Sequence, residues 1–169
     1  MTIRVGDKVP EATLIHKNGG GPEEVDLAEK LKGRNVVLFG LPGAFTGTCT
    51  SAHLPSFIRT AEEFRAKGID EIICVSVNDA FVMEEWGKAT GAHEAGITLL
   101  CDPSGEYARA LGMQFDAPPV GLLGRLSRHA MIVEDGVVTI LETDEPGTCD
   151  TTGGEALLQQ ISQPSTPAA

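Results

Sequence analysis

Basic residues are scarce in this chain, and their scarcity excludes several classes of function. The 169 residues include 13 Lys and Arg against 24 Asp and Glu, which gives a formal net charge of -11 at pH 7. So acidic a chain lacks the basic surface that displaces counterions from nucleic acids or anionic lipids. Aromatic residues make up only 5% of the sequence, too few for the stacking platforms that bind single strands. We therefore expect neither a nucleic acid nor a membrane as a partner.

Long apolar runs and a signal-like N-terminus are also missing. No run approaches the ~20 apolar residues that a membrane span requires, and the first residues, MTIRVGDKVPEATL, show no apolar signal core. The expected location is therefore the cytoplasm. Its reducing conditions suit the cysteines, which form no CxxC pair and no dense disulfide framework: Cys49, Cys74, Cys101 and Cys149. No metal site is expected, because Cys49 with His53 gives too few ligands for zinc and no second pair stands at metal-ligand spacing.

Strand and helix patterns alternate along the chain, which predicts one domain over residues 1–162 and a disordered tail over 163–169. Continuous apolar runs at 35–40 and 71–77 are typical of strands buried on both faces. The further predictions are helices over 51–67, 79–89, 104–111 and 154–162, and strands over 97–101, 129–134 and 137–142. The last two strands flank Asp135-Gly136, a favoured hairpin turn. The order β-α-β-α-β-α-β-β-α predicts an α/β, thioredoxin-like mixed sheet flanked by helices.

The candidate catalytic segment is 39–57, FGLPGAFTGTCTSAHLPSF. A buried strand there leads into a loop rich in Pro and Gly, and a helix is predicted to begin at or near Cys49. The free amides and positive dipole end of a helix N-terminus stabilise a thiolate, the reactive form of a thiol. Cys49 stands between two threonines, whereas Cys74 and Cys101 stand in apolar strands typical of a core. Cys49 is therefore the candidate nucleophile, and the alternative is a buried small hydrophobe.

Three blocks of the sequence resemble one enzyme family. Pro42, Thr46 and Cys49 spell PxxxTxxC, which is similar to the active-site signature of the peroxiredoxins, and PGAFT…C…HLPSF resembles their atypical type II group, also called peroxiredoxin V. The likeness continues through EIICVSVNDAFVMEEW at 71–86 and GRLSRHAMIVEDGVV at 124–138, and spans roughly 5–161. It implies thiol-dependent reduction of hydrogen peroxide and small alkyl hydroperoxides, a homodimer, and no bound cofactor, since the sulfur performs the chemistry.

The resemblance also implies a role for each matching residue. Cys49 would attack the O–O bond and become a sulfenic acid, Thr46 would place its hydroxyl against thiolate and peroxide, and Pro42 would shield the sulfur. Arg128 matches the family's active-site arginine, whereas we expect Arg125 to be a solvated surface charge. An ordinary thiol, with a pKa of about 8.5, is ~3% ionised at pH 7, so full ionisation gains at most ~30-fold. Most of the rate must therefore come from orienting the peroxide and stabilising the leaving oxygen, tasks that suit a hydroxyl and a guanidinium.

Four further positions carry expectations about the site. The family commonly has Pro after the motif threonine, where this chain has Gly47, and we interpret the change as tuning. His53, one helical turn after Cys49, either forms a Cys–His pair or, as we favour, hydrogen-bonds the active-site loop. Pro55 either marks a broken first turn that can unwind or simply accommodates packing. Trp86 is expected in the core or an interface, where its fluorescence could report oxidation.

A sulfenic acid must be reduced by a second thiol, and three sources remain open. Cys74 lies 25 residues after Cys49, a spacing similar to that in some family members. Cys149, in the loop PGTCD, lies near where other members keep a resolving cysteine. Glutathione with glutaredoxin could also attack directly. We favour this external route, with Cys149 and thioredoxin as the runner-up.

Two other functions stay open on the sequence alone. A non-enzymatic thioredoxin-like module would sense redox state or bind partners through the same loop, with an unreactive Cys49. A Cys–His hydrolase would cleave an ester or amide and would depend on His53. The complete set of Pro42, Thr46, Cys49 and Arg128 favours the peroxidase over both.

Overall fold

A mixed β-sheet crosses the centre of the protein, seen here in a computed structural model that describes residues 2–145 and 147–162. The predicted tail, 163–169, lies outside the described residues. The described strands are β1 (Thr13–His16), β2 (Glu23–Asp26), β3 (Asn35–Gly40), β4 (Glu71–Ser76), β5 (Thr98–Cys101), β6 (Gln114–Ala117), β7 (Leu122–Leu126), β8 (His129–Glu134) and β9 (Val137–Thr143). The main sheet has the order β2-β1-β5-β4-β3-β8-β9, and β6 pairs with β7 in a separate small sheet.

Helices cover both faces of the main sheet. They are α1 (Leu27–Leu31), α2 (Leu54–Ala66), α3 (Ala80–Thr90), α4 (Glu106–Leu111) and α5 (Gly154–Ser162), with a π-helical turn at Cys49–His53 and a 3-10 turn at Pro118–Val120. In β3, Val37 and Phe39 join the apolar cluster of α2, α3 and α5, while Val36 and Leu38 join that of α1 and α4. The apolar run of β3 is thus buried on both faces, as its sequence predicts. Among the described residues, no helix is long and apolar enough to cross a membrane.

The strand pairing confirms the thioredoxin-like mixed sheet. Strands β3, β4 and β5 run parallel, β8 lies antiparallel beside β3, and β9 returns beside β8. The β8–β9 turn has positive φ at Asp135 (48°) and Gly136 (79°), as a two-residue hairpin of this type requires. Helix α3 begins where the side chain of Asp79 accepts a hydrogen bond from the Val82 amide. The predicted bounds of β3, β8 and α5 match the structure, and the others differ by one or two residues except for the helix predicted over 51–67.

The predicted element order was incomplete. The structure adds the β1–β2 hairpin, α1, and the small sheet of β6 and β7 with its 3-10 turn. Strands β1, β2, β6 and β7 have only four or five residues each, and β2 is almost wholly exposed. None of the four carries the long apolar run that marks a buried strand. Helix α1 spans only five residues, of which Leu27 and Leu31 are buried. Their structure comes from contacts with the rest of the chain.

The helix predicted over 51–67 begins differently in the structure. Residues Cys49–His53 form the π-helical turn, in which the Leu54 amide donates to the Cys49 carbonyl, and α2 follows from Leu54. Pro55 lies in the first turn of α2 and has no amide to continue a regular helical ladder backward. This geometry fits the broken first turn expected from Pro55. Whether the turn unwinds during reaction stays a prediction.

Candidate active site

The sheet brings Cys49 and Arg128 together although they lie 79 residues apart. Strand β3 ends at Gly40 and leads through a loop to Cys49, while Arg128 stands immediately before β8. Because β3 and β8 are antiparallel neighbours with Gly40 opposite His129, both segments meet at one edge. There Nη2 of Arg128 donates to Sγ of Cys49 at 3.3 Å, and both side chains are buried. The geometry therefore places a fixed positive charge against the candidate nucleophile.

His53 contacts the other terminal nitrogen of the Arg128 guanidinium. Its Nδ1 lies 2.9 Å from Nη1 of Arg128, and its Nε2 lies 3.0 Å from the Thr152 carbonyl oxygen. Burial, reinforced by the charge of Arg128, lowers the pKa of His53 to about 3. The ring is therefore neutral at pH 7, and the two neighbours assign the tautomer: Nδ1 accepts from Arg128 and Nε2–H donates to Thr152. Since both ring nitrogens are occupied, the geometry favours the structural role of His53 over a Cys–His pair.

Thr46 lies in the loop between β3 and Cys49, and its hydroxyl proton is already used in a hydrogen bond. Its hydroxyl donates to the Gly43 carbonyl at 2.7 Å, and its own carbonyl accepts from the Thr50 amide at 3.0 Å. The first contact leaves the hydroxyl oxygen as an acceptor. The second makes Gly47 part of a first helical turn, a position where a proline is well tolerated, which accounts for the family's preference there.

Arg125 is not the solvated surface charge that the sequence predicted. Its Nη1 donates to the carbonyl of the half-buried Pro42 at 3.1 Å, and its side chain is itself half-buried. A Cβ added at Gly43 would lie 2.5 Å from the same Nη1, so a larger residue would displace the guanidinium from this contact. Asn78 holds the next residue of the loop by accepting from the Ala44 amide at 2.9 Å. Arg125 and Asn78 were missed because such contacts to backbone atoms leave no spacing pattern in a sequence.

The other three cysteines divide as their sequence context suggests. Cys74 and Cys101 are fully buried in β4 and β5, which confirms their core placement. Burial raises the pKa of Cys101 to about 12 and that of Cys74 well above its ordinary value. Cys149 is half-buried between β9 and α5, where it lines an open cleft of about 420 Å³ with Ser51 and Arg59. Burial raises the pKa of Cys149 as well, so none of the three has the environment of an activated thiol.

Trp86 provides an optical probe beside the site. Its ring is fully buried, as predicted for a core residue. Its Nε1 donates to the hydroxyl of Thr50 at 3.1 Å, and Thr50 directly follows Cys49 in the π-helical turn. A rearrangement of that turn would therefore change the surroundings of the indole. In residues 2–145 and 147–162, no group of three or more His, Cys, Asp or Glu could hold a metal ion.

The buried side chains of His53 and His129 lead to a prediction about stability in acid. Burial also lowers the pKa of His129, to about 4, whereas an unfolded chain protonates histidine near its ordinary value of 6.5. Below pH 6.5 the unfolded state therefore binds more protons than the folded state. We expect the free energy of unfolding to fall from pH 6.5 to 4.5 by about 1 kcal/mol per pH unit for each histidine. Urea unfolding across this range measures the slope, which His53→Gln should reduce by one histidine's share; a flat profile would contradict it.

Comparison with known proteins identifies the family. A model of the Redoxin family matches residues 4–158. A chloroplastic peroxiredoxin-2E-2 of Oryza sativa subsp. japonica is 46% identical over 164 residues, covering 95% of this chain and 73% of the rice protein. A chloroplastic peroxiredoxin-2E of Arabidopsis thaliana is 42% identical, covering 95% of this chain and 70% of that protein.

Solved structures agree with these relatives. Reduced Prx3 of Vibrio vulnificus, in a complex with hydrogen peroxide, superimposes with a TM-score of 0.89 at 40% identity and covers 96% of this chain and 98% of its own. Peroxiredoxin 5 of Alvinella pompejana has a TM-score of 0.81 at 31% identity, with 94% and 97% coverage. Relatives of the peroxiredoxin-2 and peroxiredoxin 5 types confirm the type II resemblance. With a sheet edge that sets a buried thiol against an arginine, the chain belongs to the peroxiredoxins, the thiol peroxidases of the Redoxin family.

Proposed function

We propose that this thiol peroxidase reduces hydrogen peroxide and small alkyl hydroperoxides through a sulfenic acid at Cys49. The contact that carries the proposal is the 3.3 Å approach of Arg128 Nη2 to the buried Cys49 sulfur. A thiolate is the nucleophilic form of a thiol, and a permanent cation at this distance stabilises it inside the protein. A non-enzymatic module gains no support from a buried cation held against the sulfur. A Cys–His hydrolase would need a ring nitrogen of His53 that is free to face the sulfur.

The proposed step balances at the sulfur and the peroxide. The Cys49 thiolate attacks the terminal oxygen of ROOH, an S–O bond forms as the O–O bond breaks, and RO⁻ leaves and takes a proton from solvent to become ROH. Sulfur loses two electrons and becomes Cys–SOH. Arg128 stabilises the charge that develops on the leaving oxygen, and its buried Nε–H, which has no partner among the described residues, is a spare donor. The Thr46 hydroxyl oxygen accepts a hydrogen bond from the peroxide O–H and so orients the substrate, while the proton stays on the oxygen that is transferred to sulfur.

Glutathione with glutaredoxin is the reductant that we propose. Cys74 is fully buried within β4, and burial raises the pKa of its thiol well above the ordinary value, so it presents little thiolate to attack a sulfenic acid. Cys149 is half-buried in a loop that is tied by hydrogen bonds to Asp144, and burial raises the pKa of its thiol. An external thiol requires only that the π-helical turn expose the sulfenic acid. Cys149 with thioredoxin is the internal alternative.

The Cys149→Ser variant distinguishes these routes. We expect steady-state turnover of hydrogen peroxide with glutathione and glutaredoxin to stay within about twofold of wild type, because the external thiol attacks Cys49 directly. Cys101→Ala is the matched control, since it also removes one thiol and lies in the core. If wild type turned over only with thioredoxin and Cys149→Ser abolished that turnover, Cys149 would be the resolving cysteine and the proposed route would be wrong.

A homodimer formed around the active-site loop is also part of the proposal. Phe45, in that loop, is 57% exposed, and Phe81 and Leu123 are 61% and 64% exposed. Phe81 follows Asn78, and Leu123 precedes Arg125, the two residues that hold the loop. Large exposed apolar side chains in the active-site loop and in the segments that hold it favour an interface. Sedimentation equilibrium should therefore give twice the 17.8 kDa of the chain.

The cytoplasmic location stays a prediction, since two of the plant relatives are named chloroplastic.

A further inference from the structure

One carboxylate organises the loop between β9 and α5. We call this segment the Asp144 loop and define it as residues 144–145 and 147–153. The Asp144 carboxylate accepts hydrogen bonds from the amides of Asp150 (2.8 Å), Thr151 (3.2 Å) and Thr152 (3.0 Å). It also accepts from the hydroxyls of Thr152 (2.6 Å) and Thr151 (3.1 Å). Partial burial opposes ionisation, but these donors outweigh it and hold the pKa of Asp144 at about 2.

The Asp144 loop ends in the contact that orients His53. Thr152 is fully buried, and its carbonyl accepts from Nε2 of His53. With Nε2 carrying the proton, Nδ1 presents its lone pair to Nη1 of Arg128. The opposite tautomer would set a ring N–H against the guanidinium N–H, two donors facing each other. The Thr152 carbonyl therefore selects the only tautomer that can hold Arg128 in this position.

A backbone hydrogen bond also joins Asp144 to Arg128. The Asp144 amide donates to the Arg128 carbonyl at 3.4 Å. Asp144 thus contacts the backbone of Arg128 directly and the guanidinium through Thr152 and His53. Neither path touches the sulfur, so Asp144 takes no part in bond breaking itself.

We propose that Asp144 is a positioning residue for peroxide reduction: it fixes the Thr152 carbonyl, which sets the His53 tautomer and so aims the Arg128 guanidinium at the Cys49 sulfur. This inference rests on the proposed roles of Cys49 and Arg128. Groups that orient the ligands of a catalytic metal typically change activity 10- to 100-fold when removed. We expect an effect of about that size here, because His53 orients Arg128 in the same manner.

The first test compares Asp144→Asn with Asp150→Asn. Asparagine keeps the size of Asp144, but its NH2 group cannot accept from the amides and hydroxyls of the loop. The rate constant for oxidation by hydrogen peroxide should fall about 10- to 100-fold. Asp150 lies in the same loop, is exposed, and its carboxylate accepts no hydrogen bond from the residues that the structure describes, so Asp150→Asn should react at the wild-type rate. An Asp144→Asn rate within twofold of wild type would overturn the proposal.

Two further readouts separate positioning from mere stabilisation of the loop. In ¹⁵N NMR of the histidine rings, wild type should show His53 as the Nε2–H tautomer, with the signal assigned by its loss in His53→Gln, and Asp144→Asn should shift it toward the other tautomer. In a double-mutant cycle, Asp144→Asn should add little to Arg128→Met, because both act through the guanidinium. Independent, multiplying effects or an unchanged His53 signal would overturn the proposal.

Two outcomes keep this test apart from that of the proposed function. If Asp144→Asn failed to fold, Thr152→Val would remove one hydroxyl donor and leave the amide contacts, and the same changes are expected at smaller amplitude; their absence would count against the proposal. If wild type itself oxidised no faster than free cysteine, the proposed function would fall, and the role of Asp144 with it. A fast wild type with an unaltered Asp144→Asn would overturn the role of Asp144 alone.

Discussion

The Cys49→Ser variant is expected to lose the reaction with hydrogen peroxide, with a rate constant at least ~10³-fold below wild type, because a serine hydroxyl presents almost no anion near pH 7. Serine is close in size to cysteine and can still contact Arg128, so the fold around the buried position should persist. The measurement is competition for hydrogen peroxide between the protein and a reference peroxidase. Its readout is independent of any reductant.

The control for this variant is Cys101→Ala. Cys101 is fully buried in β5, and burial raises its pKa to about 12, so its loss should leave the rate unchanged. Rapid oxidation of Cys49→Ser, or a comparable loss in Cys101→Ala, would show that Cys49 is not the site of attack.

The Arg128→Met variant is expected to react about 10²- to 10³-fold more slowly, which is the usual effect of removing a donor that stabilises transition-state charge. Methionine fills much of the same space without charge or donors. Arg128→Lys should rescue little, because one ammonium cannot reach both His53 Nδ1 and Cys49 Sγ as the planar guanidinium does. Stopped-flow oxidation at several peroxide concentrations measures the rate constants.

Arg109→Met is the matched control for Arg128. Arg109 is exposed on α4, and its guanidinium donates only to the Ser104 carbonyl among the described residues, so loss of this side chain should leave peroxide reduction intact. If Arg128→Met kept the wild-type rate while folded, the 3.3 Å contact with the sulfur would have no catalytic meaning. Full activity of Arg128→Lys would show that positive charge alone accounts for the role of Arg128 in peroxide reduction. The two-pronged geometry of the guanidinium would then not be required.

The elements that position the site could be predicted because their signals are local. The apolar run of β3 indicates a strand buried on both faces, and Asp135-Gly136 indicates the hairpin that returns β9 beside β8. Cys49 stands out by its polar neighbours, which differ from the apolar surroundings of Cys74 and Cys101. The pairing of Cys49 with Arg128 came from the family resemblance, since no spacing rule joins residues that far apart.

The parts that escaped prediction depend on backbone atoms and distant partners. His53 reaches the Thr152 carbonyl across 99 residues, and Arg125 reaches the Pro42 carbonyl across 83. Every residue has a carbonyl, so the sequence carries no mark of which one accepts. The short strands β1 and β2 were not predicted for a related reason. They are strands because they pair with each other, and no apolar pattern marks them in the sequence.

The most direct test of the central claim is stopped-flow mixing of the reduced wild-type protein with one equivalent of hydrogen peroxide, followed by Trp86 fluorescence, with intact mass at the endpoint. The indole contact with Thr50 beside Cys49 provides the signal. We predict oxidation orders of magnitude faster than that of free cysteine and a gain of one oxygen atom, the mass of a sulfenic acid that awaits an external thiol. A loss of two hydrogens would instead indicate an internal disulfide and contradict the glutathione route. Oxidation no faster than that of free cysteine would contradict the peroxidase itself.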